Sequence, residues 1–151
     1  MRKIWVFLFV SAVALVCFGY SIAFLNDRAA EDLAARLASI PLPEKTEIVE
    51  VYAHAGKPVG NGNGIQLVGA LMLKSELSTE ELKKHYREYE QSFPQSSFGR
   101  IAVDKQTGRE LAFSVNEKLS FRTEGKENEN YIIYSIETPE NITGLLDLRG
   151  H

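Results

Sequence analysis

The chain has 151 residues, with 17 lysines and arginines against 20 aspartates and glutamates, a formal net charge of −3. No Lys/Arg block interrupts this acidic balance, so nucleic acid is not an expected partner. The one cysteine, Cys17, excludes a disulfide framework and leaves the stability of any folded part to packing.

Residues 4–25 hold no charged residue, no amide side chain and no histidine. As a helix they span roughly 33 Å, against a bilayer hydrocarbon core of about 30 Å. Trp5 and Tyr20 stand near the two ends, where amphipathic rings favour the headgroup level. Arg2 and Lys3 precede the run, and Asn26-Asp27-Arg28 follow it. The positive-inside rule then expects a cytoplasmic N-terminus and a folded part outside, a single-pass cell-membrane protein that meets the lipid bilayer through residues 4–25. Ser21-Ile22-Ala23 is also a small-x-small triplet. The rival reading is therefore a signal peptide cleaved after Ala23, giving a secreted protein, although the run exceeds a usual signal core. Acylation at Cys17 is disfavoured by the branched Val16 before it.

Residues 26–39 continue a helical pattern, with Ala29, Ala30, Leu33, Ala34, Leu37 and Ala38 at i, i+3, i+4 spacing. Two readings are open: a rigid stalk, or a first helix packed on the domain. Pro41 and Pro43 end it. The expected organisation is a cytoplasmic stub and transmembrane anchor over 1–25, a stalk helix and linker over 26–43, and an extracytoplasmic domain over 44–151.

Residues 46–54 alternate as a strand, and the near-continuous apolar run 65–73 reads as a central strand covered on both faces. Asn-Gly turns between them spell a hairpin. Ser78 with Glu81 forms a capping box, and Leu77 with Leu82 a hydrophobic staple. Leu82, Tyr86, Tyr89 and Phe93 then make one apolar stripe. Further on, 101–103 with 110–115, and 118–123 with 131–138, read as two more hairpins. Residues 142–148 are expected to add a short strand or turn. The expected fold class is α+β, an antiparallel sheet of five or six strands with one main helix on a face.

For chemistry, the candidate binding loop is Lys57, Gly60, Asn61, Gly62, Asn63, Gly64 and Gln66. Glycine-rich backbone can admit a ligand closely, but a strand follows where a phosphate loop needs a helix. His54, His85 and His151 lack metal-ligand spacing, so no metal or cofactor is expected. No nucleophile motif is present, and no catalytic residue is assigned. A small hydrolase would require at least two of His54, His85, Glu81 and Tyr89 to converge.

Pro43-x-x-Thr46-Glu47, the run 60–64, and Lys74-Ser75-x-Leu77-Ser78-x-Glu80-Glu81-Leu82-x-x-x-Tyr86 resemble a group of uncharacterised, N-terminally membrane-anchored proteins of Gram-positive, clostridia-like bacteria. The resemblance covers residues 41–93. It implies an N-terminal anchor and an outer domain of unknown role, and it carries no catalytic residue. The expected function is a non-catalytic binding, sensing or interaction module, with an unknown protein or small molecule as partner. The alternatives are the hydrolase above, or an assembly subunit acting through its anchor.

Overall fold

The structure, a computed structural model, describes residues 2–60, 64–93, 100–111, 113, 115–126, 129–139 and 141–150, with Arg2 by its backbone alone. Helix α1 (Arg2–Ala38) is unbroken. Its first part turns apolar side chains outward all round, Ile4, Trp5, Phe9, Leu15 and Phe18 among them. Among the described residues it is the one helix long and apolar enough to cross a membrane, a property an anchor shares with a signal sequence.

From Ile22 onward one stripe of α1 is buried: Ile22, Asn26, Ala30, Leu33, Ala34, Leu37. From Ala30 that stripe lies on the sheet, and Asn26 meets the C-terminal segment, so residues 26–39 are the packed first helix rather than a free stalk. Apolar area decides this, because four aliphatic side chains removed from water outweigh the freedom of an exposed stalk.

The main sheet has the order β1-β2-β6-β3 and is antiparallel. Its strands are β1 (Thr46–Gly56), β2 (Gln66–Ser75), β3 (Ala102–Lys105) and β6 (Asn130–Glu137). A second, two-stranded sheet pairs β4 (Gly108–Glu110) with β5 (Ser120–Gly125). Alternate residues of β2 and β6 serve different layers. Leu67, Leu71, Leu73, Tyr131 and Ile133 meet α1 and α2 (Thr79–Arg87). Val68, Met72, Ile132, Tyr134 and Ile136 meet Leu111, Phe113, Leu119 and Phe121 around the small sheet. The result is three layers, helices over a four-stranded sheet over a two-stranded one. The class is α+β, with six strands divided between two sheets.

The 46–54/65–73 hairpin and the capped start of the helix are as expected, but the helix ends at Arg87 instead of running on to Phe93. Ser78 accepts from the Glu81 N–H while the Glu81 carboxylate accepts from the Ser78 N–H at 2.8 Å. Leu82, Tyr86 and Phe93 are buried, the last beyond a 3-10 turn at Glu90–Ser92. Two expected hairpins are not formed. β3 pairs with β6 rather than β4, and β5 pairs with β4 rather than β6. β2 and β6 are apolar on both faces, and a β3–β4 or β5–β6 hairpin in one sheet would leave the second face wet. Covering it with Leu111, Phe113, Leu119 and Phe121 overrides the local turn signals. Residues 142–148 form no strand either. Asn141 accepts from the Gly144 N–H and starts α3 (Ile142–Leu146), followed by a 3-10 turn at Leu148–Gly150.

The Gly64 N–H donates to Gly150 O and the Ile65 N–H to Gly144 O, each at 3.2 Å. Asn26 donates to Thr143 O at 3.1 Å, and Arg149 to Ala23 O at 3.1 Å. The β1–β2 loop and the C-terminal segment therefore gather at the sheet end where α1 leaves its exposed apolar stretch. Thr46, Ser75 and Asn130 mark the opposite end of β2, about 30 Å away.

Candidate functional site

The expected loop grows out of a β1 whose alternation is reset. Ile48 faces Leu73 and Glu50 faces Met72, leaving Val49 as an extra, bulged residue. Without it Glu50, Tyr52 and His54 would share the helix-side face with Ile48. With it, all three point at the small sheet. Glu50 accepts from the N–H groups of Arg122 and Thr123 at 2.9 and 2.8 Å. Burial works against its charge, but those two donors prevail and hold the carboxyl below its usual range. Tyr52 packs edge-on against Phe121 with ring centroids 5.8 Å apart, and burial, with the Glu117 charge, pushes its phenol up.

At the end of β1, His54 Nε2 and Glu117 Oε2 lie 2.5 Å apart, and the Lys57 N–H donates to Glu117 Oε1 at 2.7 Å. Gly56 makes room for this pair: a Cβ there would sit 2.4 Å from His54 Nε2. The loop stem is held further by Pro58 O, which accepts from the N–H groups of Val115 and Asn116 at 2.9 and 3.0 Å. Asn116 donates to Gly60 O at 2.6 Å, and the Val59 N–H donates to Gln66 Oε1 at 3.1 Å. Of the seven predicted loop residues, Lys57, Gly60 and Gln66 are thus engaged in closing the loop onto its own hairpin and onto residues 115–117. Gly64 is tied to Gly150, and Asn61, Gly62 and Asn63 lie outside the described residues. The pairing of Glu117 with His54 bridges 63 positions of sequence, and no local spacing signals it.

Among the described residues no hydrogen bond joins any two of the hydrolase candidates His54, His85, Glu81 and Tyr89. His54 is with Glu117, and His85 Nε2 bonds Pro41 O at 2.8 Å. Glu81 is held in its capping box, which also depresses its carboxyl through the Ser78 N–H and hydroxyl. Tyr89 only stacks obliquely near His85, with centroids 5.5 Å apart. His151 lies outside the described residues. No group of three or more His, Cys, Asp or Glu suited to a metal occurs among the described residues.

Two concave surfaces bear on the chemistry. The larger, about 510 Å³, is at the far end of the sheet from the loop, lined by residues 45–47, 74–76 and Glu129. Lys45 pairs with Glu76 at 2.9 Å and Lys74 with Glu47 at 3.6 Å, while Thr46 and Ser75 share a 2.7 Å hydroxyl bond. The Glu76 carboxylate raises the Lys45 ammonium. Such a cleft presents both signs of charge and hydroxyls, and it suits a polar or zwitterionic ligand or a peptide segment. Nothing in the spacing of its residues marks it, since β1 and β2 bring positions 45–47 and 74–76 together only by pairing.

A smaller hollow of about 270 Å³ lies under α2 beside the β3 edge. It is lined in part by Tyr86, whose buried hydroxyl has no hydrogen-bond partner among the described residues and is pushed up to about 12 by that burial.

Comparison of the chain with protein-family models, curated proteins and solved structures finds no match.

Proposed function

We propose that this is a single-pass membrane protein with a cytoplasmic N-terminus and its folded part outside the cytoplasm. We take it to be a non-catalytic interaction module that offers its membrane-remote end to a partner. The observation that carries the reading is the continuity of α1. One helix runs from an exposed apolar stretch of membrane-spanning length into the core at Ala30, Leu33 and Leu37. No flexible linker separates the two, so the domain keeps one attitude to the bilayer. Its loop end is held down and the mixed-charge cleft of residues 45–47 and 74–76 is held up, about 30 Å above. Arg2 and Lys3 support the orientation. Ile22 supports an uncleaved anchor, because it belongs to the small-x-small triplet yet is 5% exposed, packed into the folded part. The resemblance over residues 41–93 agrees with a bacterial surface protein.

The test is capture by a short crosslinker placed at the cleft. The full chain carrying Glu76→Cys in a Cys17→Ser background should trap a discrete partner on intact cells. Adding Lys45→Glu and Lys74→Glu should abolish the adduct without lowering the amount of protein. Equal capture by the charge-reversed chain removes the cleft as the contact. Digestion of the folded part only after lysis removes the orientation.

The assembly-subunit reading is separated by exchanging the anchor alone. That exchange has to stop before Ile22, since Ile22 and the inner stripe beyond it are buried.

A further inference from the structure

The C-terminal segment buries a carboxylate while its aliphatic side chains face out. Asp147 turns inward: its Oδ2 accepts from Asn26 Nδ2 of α1 at 2.8 Å, and its two carboxylate oxygens accept from the exposed Arg149 at 3.0 and 2.7 Å, while Asn26 also donates to Thr143 O. Arg149 also reaches Asp27 at 2.7 Å and Ala23 O at 3.1 Å. The segment's apolar members turn outward. Ile142 is 70% exposed and Leu148 83%, with Leu146 exposed between them, while Asp147 is 4% exposed. Water selects the opposite arrangement.

The location is as informative as the pattern. Beyond the anchor, the large exposed apolar side chains of the described residues are Leu42, Val49, Val51, Val115, Ile142, Leu145, Leu146 and Leu148. Five of these eight stand at the end of the sheet where α1 leaves its apolar run. Four are in the segment pinned to Ala23, Asn26 and Asp27, and Val115 is held to Pro58 at the foot of β1. Residues 23–27 are where the uncharged run stops and the headgroup level begins. The exposed aliphatic side chains of this segment, an apolar skirt, therefore stand next to the end of the anchor's apolar run.

We infer that residues 142–148, with Val115, form a lipid-docking surface. The domain rests on the outer leaflet with Ile142, Leu146 and Leu148 in the interfacial layer, instead of standing clear of it. This rests on the membrane-anchor reading. The Arg149–Asp147–Asn26 network is the brace that sets the skirt at headgroup depth, and the occupant is the bilayer itself. Partly inserted aliphatic side chains around a helix exit are the monotopic pattern applied to a tethered domain.

The test uses the full chain in phosphatidylcholine nanodiscs, where both leaflets are open to solutes. In a Trp5→Phe background, tryptophan is placed at Leu148→Trp or, as the far-end control, Leu42→Trp. Lipids brominated along the acyl chain should quench position 148 at least twofold more than position 42, and aqueous iodide should do the reverse. Because tryptophan itself favours headgroups, Leu148→Cys in a Cys17→Ser background gives an independent reading. It should react with a membrane-impermeant maleimide about tenfold more slowly than Leu42→Cys.

Iodide quenching and maleimide reaction at position 148 equal to those at position 42 overturn the docking. Shielding from both bromine and iodide also overturns it, by assigning the patch to a second copy or another protein. Release of the chain from bilayers by alkaline carbonate is a separate readout. It fails the anchor reading, whereas a retained chain with a wet position 148 fails the docking alone.

Discussion

A Cβ placed on Gly69 would lie 2.7 Å from the backbone nitrogen of Ala34 and 2.9 Å from its Cα. Helix α1 thus crosses the central strand backbone to backbone at this point, which brings Leu33 and Leu37 into the core on either side. The neighbour that would have to give is backbone, so no rotamer change relieves the contact. Gly69→Ala is expected to cost about 1–3 kcal/mol, the usual range for overpacking a filled core. Thermal denaturation of the full chain in detergent reads this as a lowered midpoint. An unchanged midpoint means that the helix does not sit where the structure has it.

Asp147 gives the molecule an acid limb. The hydrogen bond from Arg149, opposed by burial and helped by Asn26, holds its carboxyl at about 2 rather than its ordinary 3.8. A group depressed on folding stabilises fully above its unfolded value and loses that contribution as pH falls through its folded one. Stability should therefore fall between about pH 4 and pH 2 by roughly 2 kcal/mol from this group. Asp147→Asn should flatten that limb while lowering stability at neutral pH. A pH profile of unfolding in which wild type and variant run parallel would falsify the assignment.

Glu117 satisfies two separate groups, the Lys57 N–H and the His54 imidazole. Removing it by Glu117→Ala strands a part-buried donor and is expected to cost about 1–3 kcal/mol. Gly56→Ala should act differently, since what its methyl meets is the movable ends of His54 and Glu117. It should shift the His54 ring resonances strongly and the midpoint little. If both variants leave those resonances in place, the pair does not exist in solution.

Val49 is an extra residue against β2, and its deletion leaves the pairing of Ile48 with Leu73 and Glu50 with Met72 intact. Deleting it is expected to cost less than about 1 kcal/mol, with the Arg122 and Thr123 amides still protected by Glu50. Deleting Ala53 instead forces either Tyr52 or His54 onto the helix-covered face, because side chains alternate with a period of 2. That change should cost more than about 3 kcal/mol, at the level of a disrupted core. Equal effects of the two deletions in a stability assay would show that no bulge resets the strand.

Elements whose instructions lie within a dozen residues were readable in the chain alone. Ser78 and Glu81 cap their own helix, the run 65–73 is apolar on both faces because it is central, and residues 4–25 lack any charge. The tertiary structure decided which strand pairs with which, that residues 26–39 are core and not stalk, and that Glu117 closes on His54. It also decided that the polar cleft and the apolar skirt stand at opposite ends of one sheet. These choices depend on how much apolar area each arrangement hides, a quantity summed over the whole fold. Short-range patterns such as turn residues and alternation are blind to that sum, and where the two conflicted, at β3, β4 and β5, burial prevailed.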